Sequence, residues 1–196
     1  WNPTNSGNGR YMELIDYCGR SDLIERFCEV GQMSSMEDMH WKVAAWNGQI
    51  TVEVSDNNSD AAYVYNVSDS RYETGYIGFY SLTYEGNTTL QVDNLVISGY
   101  MEAEEPDVPA NSSVWQDDFS ENTIDKYTVT GPDNGKFGDW KVVDGKLQVT
   151  GTQAASNWWT TSILLGNVSY GDFVMEFDAD VSTGYGVFFR GTDDGK

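Results

Sequence analysis

The sequence predicts an all-β protein, built as a sandwich of short strands. Across residues 172–181 apolar and acidic residues alternate, which is the period of a half-buried strand. Asn47-Gly48 and Asp144-Gly145 each separate two strand-like segments, and such dipeptides supply the positive φ angles of a two-residue hairpin turn. No segment has an apolar stripe at helical spacing, and only residues 34–39 could form a turn of helix. Many short strands joined by tight turns are typical of sandwiches.

Strand-like segments follow one another along nearly the whole chain. The predicted strands are residues 10–17, 24–30, 41–46, 49–55, 63–67, 75–82, 88–98, 114–119, 140–143, 146–150, 158–165, 172–181 and 185–190. Residues 101–110 interrupt them, because this stretch is acidic, carries two of the four prolines and lacks alternation. Proline removes ladder donors and stiffens the backbone, so we expect an extended linker here. The linker divides the chain into residues 1–100 and 111–196.

The charge balance excludes several classes of partner. Eleven Lys and Arg residues oppose 31 Asp and Glu residues, which gives a net charge of −20. Such a chain cannot neutralise a row of phosphates, so nucleic acid and anionic membrane surfaces are excluded as partners. No apolar run approaches the roughly 18–20 residues of a membrane helix. The single histidine, His40, argues against histidine-rich metal sites and a Ser-His-Asp triad, and we expect it to be structural.

Two observations indicate an exported chain. Asn-x-Ser/Thr triplets are more frequent than composition predicts, and they begin at Asn57, Asn66, Asn87, Asn111 and Asn167. Cys18 and Cys28 are separated by nine residues, which is neither zinc-ligand nor redox-motif spacing. An intrachain disulfide is the favoured interpretation, with intermolecular pairing and free thiols as alternatives. We therefore expect an extracellular glycoprotein. The start at Trp1 instead of Met indicates a processed product or a piece of something longer.

Each of the two segments contains a series of short motifs that follow one another in a set order. In residues 111–196 they are Trp115-Gln-Asp-Asp-Phe119, Trp140-Lys-Val-Val-Asp-Gly-Lys-Leu147, Asp172-Phe-Val-Met-Glu-Phe-Asp178 and Gly186-Val-Phe-Phe-Arg190. In residues 1–100 they are Tyr11-Met-Glu-Leu14, Trp41-Lys-Val43, Asn47-Gly-Gln-Ile50, Gly75-Tyr-Ile-Gly-Phe79 and Val92-Asp-Asn-Leu-Val96. The first series resembles the opening half of a concanavalin-A-like (laminin-G-like) jelly roll, and the second series resembles its closing half. The resemblance implies a jelly-roll β-sandwich and is unspecific for function.

The two halves therefore stand in swapped order, with the closing half first. The chain could be a closed circular permutant whose linker joins the old termini. It could be one window of a tandem array, framed in the middle of a domain. Each chain could also donate half a sandwich to its neighbour and so build a fibre. The acidic, proline-containing linker and the start at Trp1 favour the repeat or exchanged arrangements.

A row of carboxylates, Glu176, Asp178 and Asp180, is the one candidate for catalysis. Alternate residues of a strand lie about 6.6 Å apart on one face, which is within the range for a two-carboxylate glycosidase. Laminarinase-type glycoside hydrolases, which share the resembled fold, use a Glu-x-Asp-x-x-Glu strand. Here Val181 stands where the last Glu is required, so the general acid/base is missing. We expect the row to be a solvated acidic face and the protein not to be an enzyme.

Calcium has two candidate sites in the sequence. Asp56-Asn-Asn-Ser-Asp60 begins like a calcium loop, but Ala61 replaces the required Gly and Val67 the required Glu, so this motif fails. The second candidate is Asp117 and Asp118 on the first strand of the opening half, with Asp93 on the last strand of the closing half. In the domains that the chain resembles, these strand edges often lie side by side and share a structural Ca²⁺. Hard oxygen ligands suit this ion.

Three aromatic residues could stack against sugars. Trp158 and Trp159 are adjacent on one predicted strand and must face opposite ways. Trp159 shares its face with apolar residues, so Trp158 is the expected exposed ring. Tyr76 and Tyr80 would form a similar outward pair opposite Ile77 and Phe79. Exposed rings of this kind serve glycan recognition and subunit contacts equally well.

The favoured interpretation is a non-catalytic, extracellular and calcium-assisted structural subunit. It would be the repeating unit of a surface filament or adhesin-like polymer, joined to copies of itself by strand or half-domain complementation. The first alternative is a carbohydrate-binding module, and the second is a degenerate laminarinase-type glycoside hydrolase. Neither nucleic acid nor membrane insertion is expected.

Overall fold

A computed structural model describes residues 11–16, 22–29, 38–57, 62–83, 87–101, 112–130, 137–152, 160–181 and 185–191. Its thirteen strands are β1 Tyr11–Asp16, β2 Asp22–Glu29, β3 Met39–Trp46, β4 Gln49–Asp56, β5 Ala62–Ser68, β6 Gly75–Thr83, β7 Asn87–Met101, β8 Ser112–Asp117, β9 Tyr127–Thr130, β10 Gly138–Val143, β11 Lys146–Thr152, β12 Thr160–Val181 and β13 Tyr185–Gly191. A short 3₁₀ turn, Ile124–Lys126, precedes β9. The prediction of an all-β chain is confirmed. Within these residues, no helix is long and apolar enough to cross a membrane.

Eleven of the strands form one antiparallel sheet with two arms. The first arm has the strand order β10-β11-β7-β12-β3-β4-β5. In the second arm β13 pairs with β6, β6 pairs with β12, and β9 pairs with the same part of β12. Strand β8 pairs with β7 beyond the end of β11. Strands β1 and β2 pair with each other in a separate two-stranded sheet.

Strand β12 belongs to both arms. The sequence predicts two strands here, 158–165 and 172–181, but the structure has one continuous strand of 22 residues from Thr160 to Val181. Its first half pairs with β6 and β9, and its second half pairs with β3 and β7. Two pairing irregularities, between Leu165 and Ser169 and between Tyr170 and Phe173, mark the transition. The polar and glycine residues at 166–171, read as a break in the sequence, therefore lie inside a strand.

The two arms face each other across one hydrophobic core. Phe177 of β12 meets the edge of Phe79 of β6 at a centroid distance of 5.1 Å and stacks on Trp41 of β3 at 6.2 Å. Phe173 of β12 packs against Phe189 of β13 at 5.8 Å. Burial of one such aromatic ring contributes about 1.5–3 kcal/mol. The architecture is sandwich-like, because the Phe79 ring of β6 packs on the inner face of the other arm.

Both predicted hairpin turns are confirmed. Trp46 pairs with Gln49, and Asn47 and Gly48 have φ angles of 48° and 71°. In the second turn Asp144 and Gly145 have φ angles of 52° and 78°. These left-handed values match the twist of the flanking strands, which is why Asn-Gly and Asp-Gly occur here. The strand that sequence patterning misses is β9, whose four residues are too few to show a period.

The predicted linker lies between two strands that pair with each other. Strand β7 ends the first segment, β8 begins the second, and their register runs from Leu95 opposite Asp117 to Tyr100 opposite Ser112. Strands β3, β6 and β7 of the first segment also pair with β12 of the second. The two segments thus share one sheet within this chain.

Candidate functional site

The carboxylate row of β12 lies on the outer face of the first arm. Along this strand Phe173, Met175 and Phe177 are buried, and the intervening residues are partly exposed. The register sets Glu176 opposite Lys42 and Asp178 opposite His40 on β3. On the other edge Asp178 lies opposite Asp93 of β7. The alternation that predicts a half-buried strand is therefore correct, and it brings charged residues of three strands together.

Asp178 is held by one residue from each neighbouring strand. Its Oδ1 lies 2.8 Å from His40 Nδ1, and its Oδ2 accepts a 2.7 Å hydrogen bond from Asn94 Nδ2. Asn94 has a φ of 52° and lies where the β7–β12 register shifts. That left-handed conformation is tolerated by Asn better than by most residues. The Asp178 carboxylate thus connects β3, β12 and β7.

Asp180 has a cation and a backbone amide as partners. Lys146 Nζ of β11 donates to Oδ2 at 2.8 Å, and the amide of Asp38 donates to Oδ1 at 2.7 Å. Burial acts to raise the pKa of Asp180, but the hydrogen bonds from Lys146 and Asp38 outweigh it, and the pKa is lowered. The same hydrogen bond raises the pKa of Lys146 against the effect of its burial.

Glu176 makes the weakest contact of the row. Lys42 Nζ lies 3.8 Å from its Oε1, and the two side chains are 39% and 42% exposed. An exposed pair of this kind contributes little, about 0–1 kcal/mol. Each carboxylate of the row therefore has a partner on another strand, while its side chain stays partly exposed. Chemically, the arrangement fixes neighbouring strands to β12.

Of the predicted calcium ligands, Asp117 ends β8, Asp118 follows it, and Asp93 lies within β7. Each of them accepts at least one hydrogen bond from the protein. Asp117 is buried and accepts hydrogen bonds from the Phe119 amide and the Tyr127 hydroxyl, both at 3.0 Å. Asp118 accepts from the Ser120 amide at 3.0 Å, and Asp93 accepts from an adjacent amide at 2.7 Å. Burial, together with the Asp117 carboxylate, raises the pKa of Tyr127.

These three aspartates do not converge on one point. Throughout the described part of the chain, no three His, Cys, Asp or Glu side chains are arranged to hold a metal ion. The residues therefore do not fit a metal as the structure places them, since Asp117 uses both oxygens for protein donors. Calcium binding stays a prediction.

Tyr76 and Tyr80 lie on the outer face of β6. Their neighbours Ile77 and Phe79 are each 1% exposed and belong to the core. The two tyrosines are partly buried and pack against Phe188 of β13, which is 8% exposed. We name Tyr76, Tyr80 and Phe188 the aromatic patch. Trp158, the third predicted aromatic, lies outside the described residues.

The residues predicted for export are only partly described. Asn57, Asn66 and Asn167 are exposed, as glycosylation requires. Asn87 begins β7, and Asn111 lies outside the described residues. Cys28 lies on β2 opposite Met12, whereas Cys18 lies outside the described residues, so the disulfide stays a prediction.

One buried cation escapes sequence reasoning. Arg190 of β13 has a side chain only 6% exposed, and its Nη2 lies 3.7 Å from Asp172 Oδ1. Asp172 also accepts a 3.2 Å hydrogen bond from the Asn47 amide. The contact therefore connects β12 to β13 and to the β3–β4 turn. Its only signal in the sequence is an arginine that ends an apolar run.

Comparison with protein-family models finds no match, and comparison with curated proteins finds no significant match. The assignment of function therefore depends on the residues and contacts described above.

Proposed function

We propose that this chain is a non-catalytic, extracellular structural subunit of a surface filament or adhesin-like polymer, with a concanavalin-A-like jelly roll completed by strand or half-domain complementation. The observation that supports it most is the position of β12. This strand, from the second segment, lies between β3 and β7 of the first segment. Neither segment has a complete sheet without the other.

Packing in the hydrophobic core also makes the stability of each segment depend on the other. Phe177 packs on Trp41 and Phe79, and both partners come from the first segment. Separation of the segments would expose these rings and would open both edges of β12 at the same time. Open strand edges pair with whatever strand is available. A chain organised in this way can be completed from within or by a second copy, and the second route builds polymers.

The outer face supports a structural role over a catalytic one. Asp178 and Asp180 are held by residues of neighbouring strands at 2.7–2.8 Å. A carboxylate that serves as general acid or nucleophile must reach its substrate. Here these carboxylates instead fasten β12 to its neighbours. The net charge of −20 opposes association of free chains, so divalent cations or salt would promote assembly.

The test is the mass of the purified chain in solution. Light scattering and negative-stain microscopy over a range of concentrations, in Ca²⁺ and again in EDTA, should show a ladder of masses or filaments. Loss of that ladder in EDTA would place ions at the joints. A single species near 21.9 kDa under all conditions would overturn the proposal.

Carbohydrate binding is the second candidate, and the aromatic patch supports it. Tyr76 and Tyr80 lie together on an outer face, which is the arrangement on which sugar rings stack. Binding to a glycan array should be lost in Tyr76→Ala, in Tyr80→Ala and in Trp158→Ala. Tyr72→Ala is the matched control, because Tyr72 is 41% exposed and lies outside the patch. Equal loss in all four variants would contradict a site on the patch.

A further inference from the structure

Strand β13 has one edge that no described strand covers. It pairs with β6 from Tyr185 opposite Ser81 to Gly191 opposite Tyr76. Of the strands that the structure describes, β6 is the only one in register with it. A strand edge presents a row of backbone donors and acceptors, and it is a ready template for another strand.

The β1–β2 hairpin consists of two strands that pair with no other described strand. Its strands pair from Tyr11 opposite Glu29 to Asp16 opposite Asp22, with two register shifts, and form a sheet of their own. A two-stranded hairpin without a neighbour is marginally stable in water. Among the described strands, then, the β1–β2 hairpin pairs with no strand outside itself, and one edge of β13 has no paired strand.

We propose that the β1–β2 hairpin of a second copy adds to the uncovered edge of β13. The inference rests on the proposed function and names the joint between copies. The hairpin and β13 are different surfaces, so the contact is head to tail. Repetition of a head-to-tail contact that does not close produces an open filament. Addition of a strand to a sheet edge is an established mode of recognition.

Length and charge favour this pairing. Strand β1 has six residues and β13 has seven, so one can cover nearly the whole edge of the other. The hairpin strands contain five acidic residues and one arginine, whereas β13 contains Arg190 and no acidic residue. An acidic hairpin therefore meets no carboxylate of β13.

The aromatic patch distinguishes β13 from the other outer strands. Phe188 belongs to β13 itself, and Tyr76 and Tyr80 of the neighbouring strand β6 pack against it. The outer strand β5 instead carries Asn66, an exposed residue that begins an Asn-x-Ser triplet. The sequences of the hairpin strands include apolar residues, among them Leu14, Ile15 and Phe27.

Cysteine cross-linking tests the joint directly. In the 196-residue chain with Cys18→Ser and Cys28→Ser, one tagged preparation carries Glu13→Cys and another carries Val187→Cys. After the two are mixed and treated with a short bismaleimide, a cross-linked heterodimer should form. Val64→Cys on the edge of β5 is the matched control and should give no heterodimer with Glu13→Cys. A chain with both Glu13→Cys and Val187→Cys that links only to itself would overturn addition by a second copy.

A locked variant separates this joint from half-domain exchange. In the same cysteine-free background, Ser98→Cys with Val114→Cys bridges β7 to β8 at directly opposed positions. Exchange of halves requires these strands to part, but addition of the hairpin does not. The locked chain should still polymerise under non-reducing conditions. Polymers that form only after reduction would overturn the β13 joint and leave the proposed function standing.

A peptide of residues 11–29, added to the wild-type chain, gives a readout that needs no variant. It should occupy β13 and shorten the polymers, whereas a peptide of residues 38–57, whose strands already have partners, should not. Polymers of unchanged length with either peptide would contradict the joint. Absence of any polymer in the wild-type chain would instead remove the proposed function.

Discussion

Lys146 of β11 reaches across β7 to Asp180 of β12, and its Nζ lies 2.8 Å from the Asp180 Oδ2. The contact spans three strands, because β7 lies between the two that carry these residues. The contact therefore connects β11 to β12 across β7. The side chains are 39% and 30% exposed, so solvent screens the pair.

Removal of this pair should cost little stability. Lys146→Met and Asp180→Asn should each lower the free energy of unfolding, and a double-mutant cycle should give a coupling of about 0.5–1 kcal/mol. Urea unfolding followed by tryptophan fluorescence measures it. Lys141→Met is the control, because its 3.5 Å contact with Asp139 is made by more exposed side chains. A coupling near zero would mean that the contact does not stabilise the sheet.

Stability should fall as the solution becomes acidic. Hydrogen bonds from Arg71 lower the pKa of Asp69, and Asp180 has a lowered pKa although burial opposes it. A carboxyl group whose pKa is lower in the folded chain than in the unfolded chain stabilises the fold at pH values above its unfolded pKa of about 4. This stabilisation is lost as the pH falls through the folded pKa.

Urea midpoints measured from neutral pH downward check this expectation. The urea midpoint should stay constant until the pH reaches the range in which carboxyl groups titrate, and should then decline. Asp180→Asn should remove part of that decline, because an amide does not titrate. An equally steep decline in the variant would show that Asp180 is not among the responsible groups.

Truncation of Phe177 should be among the most damaging changes in the core. The ring is fully buried between Trp41 and Phe79, so Phe177→Ala leaves a cavity and should cost about 3–5 kcal/mol. Thermal or urea unfolding gives the difference. Val64→Ala is the control: this side chain is 59% exposed, and its loss should change stability by no more than about 0.5 kcal/mol. Similar costs for both variants would contradict the described core.

Cleavage within residues 102–111 should leave the two segments together. Strands β3, β6 and β7 grip β12 by backbone pairing and by shared aromatic contacts, none of which passes through the linker. A protease site placed there should give two bands in a denaturing gel, while the size-exclusion profile stays that of the uncut chain. Two separate peaks would show that the segments do not depend on each other.

Local patterns and long-range contacts differ in how well the sequence predicts them. Asn47-Gly48 and Asp144-Gly145 determine their turns by their own backbone preferences, so both hairpins could be predicted. The continuity of β12 could not, because Gly166 and Gly171 are normally read as strand ends. What keeps residues 166–171 in the strand is pairing with β6, β7 and β9, residues distant in the chain.

The candidate site shows the same division. Alternation places Asp178 and Asp180 on the outer face of β12, and this much follows from the sequence. Their partners do not, since His40 and Asp178 are 138 positions apart. Only the register of β3 against β12 brings that pair together, and a register is a property of the whole sheet.

The central position of β12 also sets the order of events during synthesis. The first hundred residues leave the ribosome before any part of β12 exists, so β3, β6 and β7 wait without the strand that joins them. Chains whose contacts are far apart in sequence fold on the slow scale of milliseconds to seconds. During that interval the waiting edges can pair with another nascent chain. Any factor that keeps the first half apart until the second half emerges would therefore determine whether a chain completes its own sheet or aggregates with its neighbours.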